Sequence, residues 1–233
     1  MPDTLKPAAQ LAAAASRPWP NEPAGYRAAR EALLAEEIEL RRHIARIAEQ
    51  RRALPLGGEV SDRHLFEDAE GRRRPIADLF GRHDTLVVYC WMFGPERERP
   101  CPMCTNLVGP LAANAADVEQ QAALAIFGRS PVARQEGFAR ERGWGGLKFY
   151  QPVGDDFPRD YRAVAPDGSE WASLLVFVKE SGTVRLSWAG EMGMETADTG
   201  QDPRGAPDLA PLWNILDLTP AGRDPDWYPS LDY

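Results

Sequence analysis

The chain has 233 residues, 43% hydrophobic and 27% charged, which is enough for one substantial core with extra segments around it. A formal net charge of -8 at pH 7 argues against a general nucleic-acid surface, which needs concentrated positive charge. The clusters Arg41-Arg42, Arg51-Arg52 and Arg72-Arg73-Arg74 sit among acids and read as solvated faces or turns.

No stretch is apolar for long enough to cross a bilayer, so no membrane association is expected. The alanine run before Ala15 follows Asp3 and Pro7 and has only Lys6 ahead of it, too weak a pattern for a secretory signal. Residues 1–23 are therefore expected to be a disordered tail, and the cytoplasm is the expected location. Three cysteines make an odd count, unsuited to a stapled secreted framework. In a reducing compartment a close pair points to redox or metal chemistry.

In chain order, residues 24–56 form the next segment, with a long helix predicted over 24–53. Leu33, Leu40, Ile44 and Ile47 recur at helical spacing, widened by Leu34 and Ile38. Glu37 and Arg41, four apart, support it, and Pro55 with Gly57-Gly58 stops it. Such a helix could pack on its own domain or on a second copy of the chain, making a homodimer. Its apolar repeat covers too few heptads for a coiled coil.

Residues 57–233 are expected to hold the main domain and a C-terminal extension. Leu65-Phe66 and the turn at Glu70-Gly71 suggest a short hairpin, and 75–80 a brief helical turn. The run Leu86-Val87-Val88-Tyr89-Cys90-Trp91 suits a strand buried on both faces. The loop 94–100 carries four charges and three breakers and is expected to be exposed. Cys101 closes it, and a helix is predicted from Pro102 to about Glu119. A second buried strand over 122–127 follows. Ser130-Pro131 then offers a cap and a first-turn proline for a helix that ends at Gly143. A short strand over 147–150 and a hairpin of 174–178 with 183–188 come next, then a helical piece near Trp213 to Leu216. Helices alternating with buried strands, then a terminal hairpin, indicate an α/β fold. The arrangement is a thioredoxin-like three-layer α/β/α sandwich with an added long N-terminal helix.

The chemistry rests on Cys101-Pro102-Met103-Cys104. Cys101 opens a helix after a buried strand, where the partial positive charge of the helix N-terminus stabilises a thiolate. Cys104, about one turn on, is spaced for a disulfide and could displace whatever Cys101 captures. Cys101 is thus the expected nucleophile and Cys104 the resolving thiol, with Pro102, Trp91 and Phe93 as supporting residues. The partner is a protein or small-molecule thiol or disulfide. No organic cofactor is implied. Structural zinc would need four ligands, and only Cys90, His43, His64 and His83 remain as soft candidates. Two other readings stay open: a module binding a soft, copper-type ion through the pair, and a non-catalytic interaction protein on the same fold.

Cys90, mid-strand, reads as a small hydrophobe, and His83 as a turn residue. Asp155, Asp156 and Asp160, with Phe157 and Tyr161, read as a solvated acidic loop, although a carboxylate near the pair could relay a proton. Trp91, Phe93, Trp144, Trp171 and Trp188 read as core or rim packing, or as an aromatic lip beside the thiol.

Several of these residues carry a resemblance. They are Arg30-Glu31-Ala32-Leu33-Leu34, Met92-Phe93-Gly94-Pro95 before the cysteine motif, Ser130-Pro131, Gly143-Trp144, Leu216-Asp217-Leu218-Thr219-Pro220 and Gly222-Arg223-Asp224. From about Gly25 to Asp226 the chain resembles a bacterial thioredoxin-like family, filed as a domain of unknown function and described as predicted dithiol–disulfide oxidoreductases. The resemblance implies that fold and that activity and names no substrate. Thioredoxins place a cis-proline before the hairpin strand, where this chain has Trp171-Ala172-Ser173. Peroxiredoxins carry proline and threonine ahead of the reactive cysteine, where this chain has Gly94 and Glu98. A peroxidase of that type is disfavoured.

Overall fold

The computed structural model describes residues 5–190 and, beyond them, residues 192, 196, 211, 215, 218, 219 and 229–231. Of the helical piece expected near Trp213 to Leu216 only Ile215 is among the described residues, and most of the motif residues after Leu216 lie outside them.

The chain divides into two compact units, Met1–Pro55 and Leu56–Tyr233. In the first, α2 spans Ala24–Arg52. The tail expected to be disordered instead carries α1, Ala8–Ala15. Its alanines favour helix and let it lie close on α2. Ala8 and Ala12 bury against Ile38, flanked by Leu11, Leu34 and Ala35. The apolar stripe read along α2 is accordingly split. Ile38 is buried, whereas Leu33, Leu40 and Ile44 are more than half exposed.

The second unit is built on a seven-stranded sheet of order β2-β1-β5-β4-β3-β6-β7. Its strands are β1 Leu65–Glu67, β2 Arg73–Pro75, β3 Thr85–Cys90, β4 Ala123–Phe127, β5 Lys148–Pro152, β6 Ser173–Glu180 and β7 Thr183–Gly190. β3, β4 and β5 are parallel, joined by α3 (Pro102–Val118) and α4 (Val132–Glu141). β6 runs antiparallel to β3 and pairs with β7 through a turn in which Ser181 and Gly182 both take positive φ. Parallel β3 and β4, connected by a helix, with the antiparallel β6–β7 hairpin on the other side of β3, make this a thioredoxin-like fold.

Successive crossovers in one direction place α3 and α4 on the same face. There Cys104, Leu107, Val108, Val132, Phe138 and Ala139 meet Tyr89, Ile126, Phe149 and Leu174 of the sheet. On the opposite face Leu86, Val88, Cys90, Ala125, Phe127, Leu175 and Phe177 meet Ile76, Leu79 and Phe80 of a 3-10 turn. Phe157 of the short α5 (Asp156–Asp160) joins them. Every residue of β4 is buried, as a central parallel strand requires.

Two local expectations change. Ser130 does not cap α4: the helix starts after Pro131, and the Ser130 hydroxyl donates to the Gly94 carbonyl at 3.0 Å. The backbone of Phe93 and Gly94 needs partners where it leaves the sheet, and Ser130 supplies two of them, since its N–H donates to the Phe93 carbonyl at 2.8 Å. The acidic segment read as a solvated loop is α5. Asp155 pairs with Arg129 and Asp160 with Arg63 and His64, while Phe157 stacks on Tyr161. The acids stay near solvent because the aromatic ring between them is worth burying.

Candidate functional site

β3 leads to the site. The strand ends at Cys90, and Met92 then makes two bonds that set both cysteines. Its carbonyl accepts the Cys101 N–H at 3.0 Å, and its N–H donates to the Cys104 sulfur at 3.4 Å. Cys101 occupies the cap position of α3, with Pro102 in the first turn, where a missing N–H costs no helical bond. The Cys101 carbonyl accepts both the N–H and the hydroxyl of Thr105, at 2.9 and 3.0 Å.

The intervening loop is pinned rather than free. Arg97 pairs with Glu170 at 2.6 Å, and Arg99 makes a two-pronged bridge to Glu141. Arg134 holds the Arg97 and Glu98 carbonyls and lies over the Phe93 ring. Gly94 and Pro100 are buried, so only parts of the loop expected to be exposed reach solvent. A Cβ on Gly94 would collide with the Glu170 carboxylate.

The two thiols are free and differ sharply. Cys101 is half-buried and Cys104 is 1% exposed. Cys104 donates its S–H to the Cys101 sulfur, and this bond is the chief reason the Cys101 pKa drops from 9.0 to about 6. Burial opposes the drop. The N–H groups of Cys104 and Met103 and the charge of Arg97 reinforce it. Neither N–H completes a side-chain cap bond, so the helix start acts through its field as much as through contact. The same S–H bond, then burial, raises the Cys104 pKa well above the usual thiol value. Met92 N–H and the Tyr89 hydroxyl act on Cys104 in the opposite direction.

Of the sequence-derived site residues, Cys101, Pro102 and Cys104 come together as the spacing implies. Trp91 and Phe93 are buried and form no lip: they pack edge to face at 5.1 Å, within a cluster containing Phe138, Trp144 and Phe149. Cys90 faces the opposite side of the sheet, where burial alone pushes its thiol far up. Asp155, Phe157, Asp160 and Tyr161 also gather on that side and are not brought to the cysteines. His83 sits in a turn, its N–H on the Phe80 carbonyl. Among the described residues no group of three or more His, Cys, Asp or Glu side chains could hold a metal, and no helix is long and apolar enough to cross a membrane.

Sequence reasoning missed two residues near the pair. Tyr89, taken only as core, packs in the cluster that holds Cys104, and its hydroxyl acts to lower the Cys104 pKa against burial. Gln135 is fully buried: its Oε1 accepts from Trp91 Nε1 at 3.0 Å, and its Nε2 donates to the carbonyls of Gly128 and Ser130 at 3.1 and 2.7 Å. A signal existed for Gln135, since it stands in phase with Val132, Phe138 and Ala139 on the buried face of α4. No pattern marks Tyr89, which fits a buried strand equally well without a polar role.

Residues 16–233 match the sequence profile of the family described as "Bacterial protein of unknown function (DUF899)". The chain belongs to that family. None of the curated proteins matches it. Among solved structures, this DUF899 member is similar to PrxQ from Xylella fastidiosa at 14% identity and a TM-score of 0.43, covering 58% of this chain and 84% of that one. The exposed lipoprotein thioredoxin of Streptococcus pneumoniae gives 8% and 0.40, covering 64% and 94%. BsSco, of the Sco family of cytochrome c oxidase assembly proteins, gives 14% and 0.39, covering 60% and 84%. The fold of the DUF899 chain rests on the strand order and connections given above, not on these distant likenesses.

Beside the pair, Ser173 of β6 lies opposite Cys90 of β3, so Trp171-Ala172-Ser173 runs past the end of the strand that leads to the cysteines. A cleft of about 310 Å³ reaches from there toward the opposite face of the sheet, lined by Asp160, Tyr161, Trp171, Ala172, Leu175 and Ala189 among others, and neither Cys101 nor Cys104 is in its wall. Ala172 and Met192 also pack in the cluster that holds Cys101.

Proposed function

We propose that this protein is a thiol–disulfide oxidoreductase in which Cys101 attacks and Cys104 resolves. The observation that carries the reading is the asymmetry of the pair: a half-buried thiol drawn down to about 6, hydrogen-bonded by a sealed one pushed up. At neutral pH Cys101 is a thiolate, the nucleophilic form, and its partner stays protonated until needed. A disulfide R–S–S–R′ meets the Cys101 thiolate, which bonds to one sulfur and expels R′–S⁻. Cys104 then gives up its proton, and its thiolate attacks the Cys101 sulfur and expels R–S⁻. The pair loses two electrons and one proton; the substrate gains the two electrons, and its two departing thiolates take up that proton and, where their own acidity requires it, one more from solvent. The substrate is a protein or small-molecule disulfide.

The test uses the reduced protein and a mild oxidant, read by mass spectrometry. One internal disulfide between Cys101 and Cys104 is expected. Cys101→Ser and Cys104→Ser should each abolish it, and Cys90→Ala should leave it intact. Persistence of an internal disulfide in Cys101→Ser would end the assignment.

A further inference from the structure

The first unit buries only one side of its long helix. Leu34, Ala35 and Ile38 of α2 pack with α1, where Ala8 and Ala12 are buried. The other side carries an apolar stripe in solvent: Tyr26, Leu33 and Leu40 are each 58% exposed and Ile44 57%. Ile47, half-buried, continues it. At 3.6 residues per turn, Leu33 and Ile47 fall within about 20° of Leu40 around the helix. An apolar row of this length in water, rimmed by charge, marks an interaction site. The rim is sorted by sign. Glu36 and Glu37 stand on the two flanks just before Leu40, and Arg41 and His43 stand on the two flanks just after it, all exposed. By the helical period Glu37 shares a flank with Arg41, and Glu36 with His43. Arg46 donates to His43 Nδ1 at 3.1 Å and adds its charge to that flank. The cations of the first turns, Arg27 and Arg30, are taken up by Glu22, whose side chain is 1% exposed. The N-terminal half of the stripe is thus edged by acids and the C-terminal half by bases.

We propose that this stripe is a self-association site, where α2 packs antiparallel on α2 of a second copy of the chain about a two-fold axis at Leu40. The sorting of charge selects both the partner and the direction. The axis sets Leu40 beside Leu40 and Leu33 beside Ile47 of the second copy, closing an apolar seam. It turns each flank onto its counterpart, so one surface serves both copies. Glu37 then comes within about 3 Å, along the helix, of the level of Arg41 in the second copy, and Glu36 nearly level with His43. Both contacts join opposite signs at the edge of an apolar seam. In a parallel pair, opposite flanks would meet at one height. That would set Glu36 against Glu37 and Arg41 against His43 and Arg46, so like charges reject that direction. The proposal goes beyond the oxidoreductase reading and does not depend on it, since no cysteine takes part.

The experiment is analytical ultracentrifugation of the full-length chain over a range of concentrations. A reversible dimer is expected, and a chain that stays monomeric into the millimolar range would overturn the proposal. Leu40→Glu puts two carboxylates at the axis and should raise the dimer dissociation constant about a hundredfold. A dimer that survives Leu40→Glu uses another surface and would overturn the proposal. Glu36→Lys with Glu37→Lys should weaken the dimer, and adding Arg41→Glu with His43→Glu to the same chain should restore it, because the signs are then exchanged. All four positions are exposed, so the fold should tolerate the changes. Failure of the fourfold variant to recover, with its helix content unchanged by circular dichroism, would overturn the charge pairing. Direction is read by a spin label at Ala28→Cys, in a chain carrying Cys90→Ala, Cys101→Ser and Cys104→Ser. Two such labels lie roughly 36 Å apart along the axis in the antiparallel pair and at one height in a parallel pair. A short label distance would overturn the antiparallel arrangement. None of these outcomes bears on the cysteine pair, so the oxidoreductase reading stands or falls by its own test.

Discussion

At the scale of single residues, the pair is defined by how one proton is shared. Cys101 and Cys104 are both ordinary thiols in the unfolded chain, and the S–H bond between them separates their acidities in the fold. The sign of the linkage follows. Cys101 is lowered to about 6 from 9.0, so its ionisation stabilises the reduced form increasingly as pH rises through that window, and above 9 the raised Cys104 works against that gain. As pH falls toward 6 the gain is lost. The disulfide does not titrate, so the same window appears in the reduction potential. Below about pH 6 two protons accompany two electrons, and the potential should fall by ~59 mV per pH unit. Above it the slope should ease to ~30 mV, since only Cys104 still takes a proton. Redox titration against glutathione at several pH values checks this, and a single slope of ~59 mV up to pH 8 would contradict it. Alkylation of Cys101 by iodoacetamide should show the same midpoint, about 6.

At the scale of elements, the site depends on how the ends of β3, β4 and β5 are held together. Gln135 does this from α4. It joins Trp91 after β3 to the Gly128 and Ser130 carbonyls after β4, with the Tyr150 carbonyl of β5 at 3.4 Å. Gly128 is required beside it, because a Cβ there would meet Gln135 Oε1 and Trp91 Nε1 at 2.5 Å. Gln135→Leu should leave the indole N–H and at least two carbonyls buried without partners, at a cost of about 2–5 kcal/mol. Thermal unfolding would show it as a clear drop in Tm, and a variant within about 1 °C of the native chain would contradict this account. The elements themselves were largely legible in the sequence. The runs 86–91 and 122–127 had the continuous apolarity of central strands, and Lys179-Glu180-Ser181-Gly182 marked the hairpin. What misled was local polarity. Ser130 reads as a cap because serine before proline opens helices, yet its hydroxyl goes to the Gly94 carbonyl. The acids around Phe157 read as a loop, yet the aromatic ring between them carries the segment into the core.

At the scale of the whole molecule, the chain separates at Pro55–Leu56 into a helical unit and the thioredoxin-like unit that holds both cysteines. Every group that sets the Cys101 acidity, namely Cys104, Met103 and Arg97, belongs to the second unit. A chain starting at Leu56 is therefore expected to keep the alkylation midpoint of Cys101 near 6. A midpoint returning toward 9 would show that the first unit shapes the site.

The order of strands and helices, the place of Cys101 at a helix start and the one-turn spacing to Cys104 could all be read in one dimension, because they depend on periodicity and on neighbours in sequence. Other features needed the folded chain. Tyr89 meets Cys104 fifteen residues on, Gln135 ties three strand ends together, and the first alanines bury against Ile38. Those contacts arise from which faces the sheet and helices turn toward each other, and side-chain partners chosen that way leave no regular spacing behind in the sequence.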